Sequence, residues 1–158
     1  MVYGAGGIGL MGVVADAALA AGGRVTGVIP DVLMKREVVH AGLSDLRVVR
    51  TMHERKALMA SLADVFIALP GGWGTLEELF EVLTWAQLGL HQKPFGLLNA
   101  GGYFDGLLGF LDHAVSEGFV RREHGRLISV EAGAEALLER LLSFQPGAVL
   151  PVIDAGRL

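Results

Sequence analysis

The 158-residue sequence contains no cysteine. This absence excludes a disulfide framework and a thiolate metal site, and it favours a cytoplasmic protein. Charged residues make up only 19% of the chain and apolar residues 52%, so disorder and a highly charged coiled coil are poor interpretations. The formal net charge is −4 without a long basic run, which argues against a nucleic-acid groove as the main surface.

Long hydrophobic runs are also absent from the sequence. No window reaches the roughly 18 apolar residues that a membrane span needs without a charge or a glycine cluster interrupting it. The first fifteen residues are uncharged, but they lack a basic n-region and are broken by glycines. We therefore expect neither a membrane span nor a signal peptide.

Glycine, by contrast, is abundant, with 23 residues clustered between short apolar runs. Apolar or β-branched runs alternate with segments of helical periodicity, which is typical of βαβ units. The sequence predicts an α/β fold with a Rossmann-like, doubly wound parallel sheet, formed by a single nucleotide-binding domain over residues 1–144. An irregular tail follows over residues 145–158. The strongest predicted strand spans residues 65–69, and its composition predicts burial on both faces.

A predicted helix over residues 75–88 has apolar residues on more than one side. One stripe suits the sheet, while Val82, Trp85 and Leu88 lie elsewhere on the helix. A second copy covering that other side, in a two-fold dimer, is one explanation, and coverage by neighbouring parts of the same chain is the other. The stripe predicted to face the sheet consists of Leu76, Leu79, Phe80 and Leu83.

The first glycine cluster spans residues 4–9, Gly-Ala-Gly-Gly-Ile-Gly, between a predicted strand and a predicted helix. Its G-x-G-x-x-G spacing suits dinucleotide binding. The acidic residue expected at the end of the next strand is not clearly present, because Asp31 follows Pro30 and lies too far along. A turn that packs helix against strand, or that lets another ligand approach, is therefore at least as good an interpretation.

The second cluster, Pro-Gly-Gly-Trp-Gly-Thr at residues 70–75, ends the strongest strand and opens a helix. Its backbone N–H groups and the positive end of the helix dipole suit a phosphate. It is not a Walker loop, because no Lys-Ser or Lys-Thr follows. Thr75 and Glu78 also fit a capping box, the structural alternative to a chemical role for Glu78.

A third motif, Met-His-Glu-Arg-Lys at residues 52–56, begins a helix one strand earlier. Both loops leave the carboxyl edge of the predicted sheet, so Arg55 and Lys56 are expected to meet a phosphate held by residues 71–75. The five histidines show no metal-ligand spacing, and there is no G-x-S-x-G, so we expect neither a metal site nor a serine hydrolase.

These motifs, together with Thr-Trp-Ala-Gln-Leu-Gly at residues 84–89 and His-x-Lys-Pro at residues 91–94, resemble the LOG ("Lonely Guy") family of cytokinin riboside 5′-monophosphate phosphoribohydrolases. The resemblance implies a Rossmann-like homodimer that hydrolyses the N-glycosidic bond of an N6-modified adenosine monophosphate, without a cofactor. It implies that Arg55 and Glu78 are catalytic. It also implies that substrate and phosphate are bound by Gly71, Gly72, Gly74, Thr75, Glu77, Thr84, Lys56, Met52 and Glu37.

The sequence departs from that family at its beginning. Family members carry a further strand, loop and helix before the segment that matches Val-Tyr-Gly at residues 2–4. We therefore expect the functional protein to be longer at its N-terminus. Two other functions stay open from the sequence, an NAD(P)-dependent enzyme that uses residues 4–9 and a nucleotide-binding module without turnover.

Overall fold

The computed structural model describes residues 1–35 and 38–145 of an α/β protein. Contacts between Cα atoms group the chain into two units, Met1–Ala63 and Asp64–Leu158. Each unit contains a three-stranded parallel sheet with helices between its strands, as the predicted Rossmann-like, doubly wound class requires. The single domain predicted over residues 1–144 stays a prediction, and residues 146–158 of the predicted tail lie outside the described residues.

The first unit is built around the middle strand of its sheet. The strand order is β1-β2-β3, and Val28 and Ile29 of β2 are fully buried. Gly27 of β2 pairs with Tyr3 on one side and with Leu46 on the other. The elements are β1 (Val2–Tyr3), α1 (Gly9–Ala20), β2 (Thr26–Pro30), α2 (Asp31–Met34), β3 (Asp45–Val49) and α3 (Met52–Leu62).

The second unit follows the same plan, with the strand order β4-β5-β6. Its core joins the sheet to the helix after β4, through Ala68, Leu79, Phe95, Leu97 and Phe104. The elements are β4 (Phe66–Ala68), α4 (Trp73–Gln87), β5 (Phe95–Leu98), a 3₁₀ turn (Ala100–Gly102), α5 (Asp105–Ser116), α6 (Arg122–Gly125), β6 (Ile128–Glu131) and α7 (Ala134–Leu142).

Strand β4 is less buried than its composition predicted. Only Ala68 is buried, and the side chain of Ile67 is 38% exposed. The reason is its position, because β4 is an edge strand of its sheet and β5 occupies the centre. The prediction of a strand buried on both faces was therefore wrong for β4, and that description fits β5 better.

Helix α4 presents most of the predicted stripe to the core, with one residue exchanged. Leu76, Leu79 and Leu83 pack against the core as expected, but Val82 joins them and Phe80 is 39% exposed. At about 100° per residue, replacing Phe80 with Val82 rotates the buried stripe around the helix axis. The apolar side chain left outside on this turn is therefore the phenyl ring of Phe80.

None of the helices within residues 1–35 and 38–145 is both long enough and apolar enough to cross a bilayer.

His91 connects the last turns of α4 to the start of β5. Its Nε2 lies 3.0 Å from the carbonyl oxygen of Val82, and its Nδ1 accepts a hydrogen bond of 3.1 Å from the Lys93 N–H. The ring also packs at 5.2 Å from the ring of Phe66. These contacts fix the neutral tautomer that carries its proton on Nε2, which donates to Val82. Burial accordingly lowers the pKa of His91 below its ordinary value of 6.5.

The lowered pKa of His91 predicts a loss of stability in acid. As pH falls through 6.5, the unfolded chain takes up a proton before the folded one, so the stability present above that pH is lost as the folded pKa is approached. We expect the melting temperature of the wild type to fall more steeply from about pH 7.5 to 5.5 than that of His91→Gln. His113→Gln, at an exposed position on α5, is the control and should keep the wild-type slope. Equal slopes for the wild type and His91→Gln would contradict the prediction.

Candidate functional site

The N-terminus of α4 forms a backbone site with the character of an anion cradle. The N-cap is Gly72, and the first helical bond runs from the Leu76 N–H to the Gly72 carbonyl at 3.1 Å. By helix geometry, the N–H groups of residues 72–75 precede the first possible intrahelical donor. They point out of the helix end that carries the positive dipole, which is the usual place for a phosphate.

The capping-box interpretation of Thr75 and Glu78 is wrong. Helix α4 begins at Trp73, two residues earlier than predicted, and no side chain caps it. The physical reason is that Gly72 already takes the non-helical N-cap conformation, with φ −94° and ψ −147°, so that Thr75 lies within the first turn. Glu78 is therefore in the second turn of the helix, and capping does not explain it.

Gly71 has a steric reason to be glycine, whereas its neighbours in the loop do not. A Cβ at Gly71 would overlap the Thr75 hydroxyl oxygen and lie 3.0 Å from the Thr75 Cβ. A Cβ at Gly72 or Gly74 would meet nothing within 4 Å. The close approach of residues 71 and 75 therefore requires a residue without a side chain at position 71.

Tyr103 is a loop-supporting residue that sequence reasoning missed. Its hydroxyl donates a hydrogen bond of 2.7 Å to the carbonyl of Gly71. Asn99 helps to fix the backbone next to Tyr103, because its side-chain oxygen accepts a 2.7 Å hydrogen bond from the N–H of the following residue, Phe104. The available signal was the Asn-Ala-Gly-Gly-Tyr run directly after β5, since the carboxyl ends of neighbouring parallel strands meet at one edge.

The close approach of Gly71 to Thr75 predicts that a side chain at position 71 disturbs the loop. Gly71→Ala is expected to weaken binding of a nucleoside monophosphate about tenfold or more, because displacing one N–H loses a charge-assisted hydrogen bond worth about 1.5 kcal/mol. Gly133→Ala, at the N-cap of α7, is the control and should stay within a few-fold of wild type, because its Cβ would meet nothing within 4 Å and the residue is assigned no phosphate contact. Calorimetric titration measures both. Equal weakening by the two substitutions would contradict the steric argument.

The acidic residues of α4 differ in exposure. Glu77 is exposed, while Glu78 is half-buried beside the buried Leu79. Thr84 lies seven residues after Glu77, which places both on the same outward face of the helix. The Thr84 hydroxyl donates a 2.7 Å hydrogen bond to the Phe80 carbonyl, so its proton is used within the helix. Its oxygen can still accept a hydrogen bond.

In the first unit, Arg55 is a buried cation on the first turns of α3, only 8% exposed. Its Nη2 donates to the Gly4 carbonyl at 3.5 Å, and its Nη1 contacts the Met52 sulfur at 3.7 Å. The structure thus brings Arg55, Met52 and the start of the first glycine cluster together. Lys56, the next predicted site residue, is half-buried.

Glu54, in the Met-His-Glu-Arg-Lys motif at residues 52–56, is paired with Arg50. Its carboxylate accepts from the Arg50 backbone N–H at 2.8 Å and from the Arg50 guanidinium at 2.8 Å. These hydrogen bonds, the backbone one first, lower the pKa of Glu54. Glu54 therefore stays ionised and paired at neutral pH. Glu37, another predicted contact, lies outside the described residues.

The first glycine cluster packs the chain more than it opens a ligand site. The Gly7 N–H donates to the Val38 carbonyl at 2.7 Å, so it is not directed at a pyrophosphate. A Cβ on Gly12 would lie 2.6 Å from the Gly7 carbonyl oxygen, which shows how closely α1 packs on the loop. These contacts support the packing interpretation over a dinucleotide fingerprint. Within the described residues, no group of three His, Asp or Glu side chains could hold a metal ion.

The fold and the α4 loop define a class, an α/β protein whose glycine loop at a helix N-terminus suits a phosphate. Residues 11–141 match the model of a protein family described as "possible lysine decarboxylase". The chain is also 54% identical to the cytokinin riboside 5′-monophosphate phosphoribohydrolase LOG of Oryza sativa subsp. japonica, over 92% of the chain and 60% of that protein.

Two relatives from Arabidopsis thaliana agree. The phosphoribohydrolases LOG7 and LOG4 are each 51% identical over 92% of this chain, which covers 67% and 68% of them respectively. The chain therefore belongs to the LOG family. It spans about 60% of the length of the rice relative.

Proposed function

We propose that this protein hydrolyses the N-glycosidic bond of N6-modified adenosine 5′-monophosphates, releasing a cytokinin base and ribose 5-phosphate. The observation that carries the proposal is the glycine-led N-terminus of α4 with Glu78 one turn further along the same helix. The names of relatives that are 51–54% identical supply the substrate class. A phosphate cradle followed by a half-buried carboxylate suits a reaction beside a phosphorylated sugar.

The cradle supplies orientation in the proposed mechanism. The N–H groups at the start of α4 hold the 5′-phosphate, with Gly71, Gly72, Gly74 and Thr75 forming the loop. Fixing the phosphate converts binding energy into placement of the ribose, which lowers the entropic cost of reaching the transition state. Lys56, Met52, Glu37, Glu77 and Thr84 are assigned further substrate contacts.

Glu78 and Arg55 are assigned the chemical roles. Cleavage breaks the bond between ribose C1′ and the base nitrogen, whose electron pair stays with the base. The ribose then carries oxocarbenium character, which the Glu78 carboxylate stabilises while it takes a proton from the attacking water. The water oxygen forms the new bond to C1′, and the proton that Glu78 takes from the water ends on the departing base, which regenerates the carboxylate. Arg55 supplies positive charge and planar hydrogen-bond donors to substrate oxygens.

A panel assay tests the function. The protein is incubated with AMP, N6-isopentenyl-AMP, GMP and CMP, and free base and ribose 5-phosphate are measured by chromatography. We expect equimolar base and sugar phosphate from an adenine nucleotide, fastest from the N6-modified one. If nucleotides raise the melting temperature and no base is released, the protein is a binding module without turnover, and the proposed hydrolysis is wrong.

We further propose that two copies of the chain associate through α4. On this helix Phe80 is 39% exposed and Trp73 is 88% exposed. Large apolar side chains with this exposure support a surface that a second copy of the chain covers. Phe80→Glu is expected to convert a dimer to a monomer in sedimentation velocity. A wild type that sediments as a monomer would contradict the assignment.

We also propose that the protein acts in the cytoplasm. The chain has no cysteine and therefore no disulfide that would need an oxidising compartment, which supports the proposal. Fractionation of cells that express a tagged chain at its native locus tests this directly.

A further inference from the structure

We infer that Gly4 is a positioning residue for Arg55. Because glycine has no side chain, the space beside the Gly4 Cα is filled by the Arg55 guanidinium, and this space is the guanidinium seat. A Cβ at Gly4 would overlap Arg55 Nη2, and it would lie 2.8 Å from Cζ and 3.3 Å from Nε. All three are atoms of one planar group, so the group as a whole would have to move. The catalytic consequence of the inference rests on the proposed function, whereas the seat itself rests on geometry alone.

The backbone conformation does not explain the glycine. Positive φ angles occur at Gly9 and at Ala5, but Gly4 is absent from the residues with positive φ. The tight turn after β1 is therefore made by Ala5, at φ 66°, although alanine adopts this region at a cost. Position 4 therefore needs glycine because a side chain there would overlap Arg55. The residue with the strained positive φ is its neighbour Ala5, which is not glycine.

The chain around Gly4 is held in place, so it cannot easily retreat from a new side chain. On one side Tyr3 is paired with Gly27 in the sheet, and its hydroxyl donates to the Gly6 carbonyl at 3.1 Å. On the other side the carbonyl of the fully buried Ala5 accepts from the His40 N–H at 3.0 Å. A Cβ at position 4 would consequently displace the arginine rather than the backbone.

Displacing this guanidinium is expected to affect the chemistry as well as the stability of the fold. The Gly4 carbonyl accepts a hydrogen bond from Arg55 Nη2, and the Met52 sulfur contacts Arg55 Nη1. Moving the planar group by about 1 Å can cost about 100-fold in rate when it orients a substrate. We therefore expect Gly4→Ala to lower kcat by about 100-fold in a chain that still folds.

A thermal double-mutant cycle tests the seat without any substrate. Gly4→Ala is made in the wild type and in Arg55→Ala, and the four melting temperatures are compared. We expect Gly4→Ala to lower the melting temperature by several degrees in the wild type and by much less in Arg55→Ala, where the seat is empty. Gly96→Ala of β5 is the matched control, since its Cβ would meet Leu137 and Leu141 rather than Arg55 or its neighbours. Its effect should be the same in both backgrounds.

A rescue experiment adds a readout that a purely structural role would not change. Guanidinium ion, at a concentration that does not denature the protein, is expected to restore part of the activity of Arg55→Ala by occupying the seat. It should restore none to the double variant Gly4→Ala/Arg55→Ala, in which the new methyl group fills that space.

The outcomes separate the two levels of the proposal. Equal melting-temperature losses for Gly4→Ala in both backgrounds, or equal rescue of the single and double variants, would overturn the seat. A wild type that cleaves no nucleotide but shows the non-additive cycle would overturn the proposed function and leave the seat established.

Discussion

Glu78→Gln is expected to lower kcat by about 10²- to 10⁴-fold, the range typical of a positioned acid–base group, while substrate binding changes little. Glutamine keeps the size of the side chain but removes both its negative charge and its ability to accept a proton from water. Because Glu78 lies in the second turn of α4 and does not cap that helix, the substitution should leave the phosphate cradle unchanged. Single-turnover assays measure the rate, and calorimetry with a product or analogue measures binding.

The control for this prediction lies on the same helix. Glu81→Gln removes one negative charge at the next half-buried glutamate of α4 and should keep at least about half of the wild-type kcat, because Glu81 is assigned no contact with the substrate. If Glu78→Gln retains full kcat, or if both variants lose activity equally, Glu78 is not the reacting carboxylate. A loss of binding without a loss of kcat would instead assign Glu78 to ground-state recognition.

Arg55→Ala is the second change with a large expected effect, a fall of about 10²- to 10³-fold in kcat/KM. The side chain is only 8% exposed and its guanidinium is held between the Gly4 carbonyl and the Met52 sulfur, so it is ordered before substrate arrives. A charge that is already oriented costs little reorganisation when the transition state forms. Steady-state kinetics on the substrate identified by the panel assay give this ratio.

Arg55→Lys sharpens the same prediction. An ammonium keeps the positive charge but loses the planar fork of donors, so we expect lysine to recover less than about a tenth of the lost activity. Arg47→Ala is the control, because its guanidinium is 59% exposed and pairs with Asp45 at 2.7 Å. It should alter kcat/KM by less than about twofold. Full activity in Arg55→Lys would reduce the role of Arg55 to that of a simple point charge.

Several features of the fold could be predicted from local sequence. The strand that ends at the second glycine cluster and the helix that follows it were both predicted, and the Met-His-Glu-Arg-Lys motif begins helix α3 as expected. The small helix α6 was not predicted, because four residues without an apolar period carry no signal. The start of α4 was misplaced for a related reason, since the Gly-Trp-Gly run does not reveal which glycine becomes the N-cap.

Positions that depend on neighbours could not be predicted. Whether Phe80 or Val82 faces the core depends on how α4 is rotated against the sheet, and apolar residues on several sides allow either choice. The exposure of Ile67 depends on the edge position of β4. The support of Gly71 by Tyr103 spans 32 residues, which no local motif records.

The sequence by itself determined the α/β class and the glycine loop after β4, because strand, turn and helix signals act over a few neighbouring residues. Only the tertiary structure decided what surrounds Gly4. Arg55 and Gly4 are 51 residues apart, and a buried guanidinium beside a residue with no Cβ exists only once α3 packs against β1. Sequence spacing describes the local backbone, whereas the space for a side chain is created by packing between distant segments.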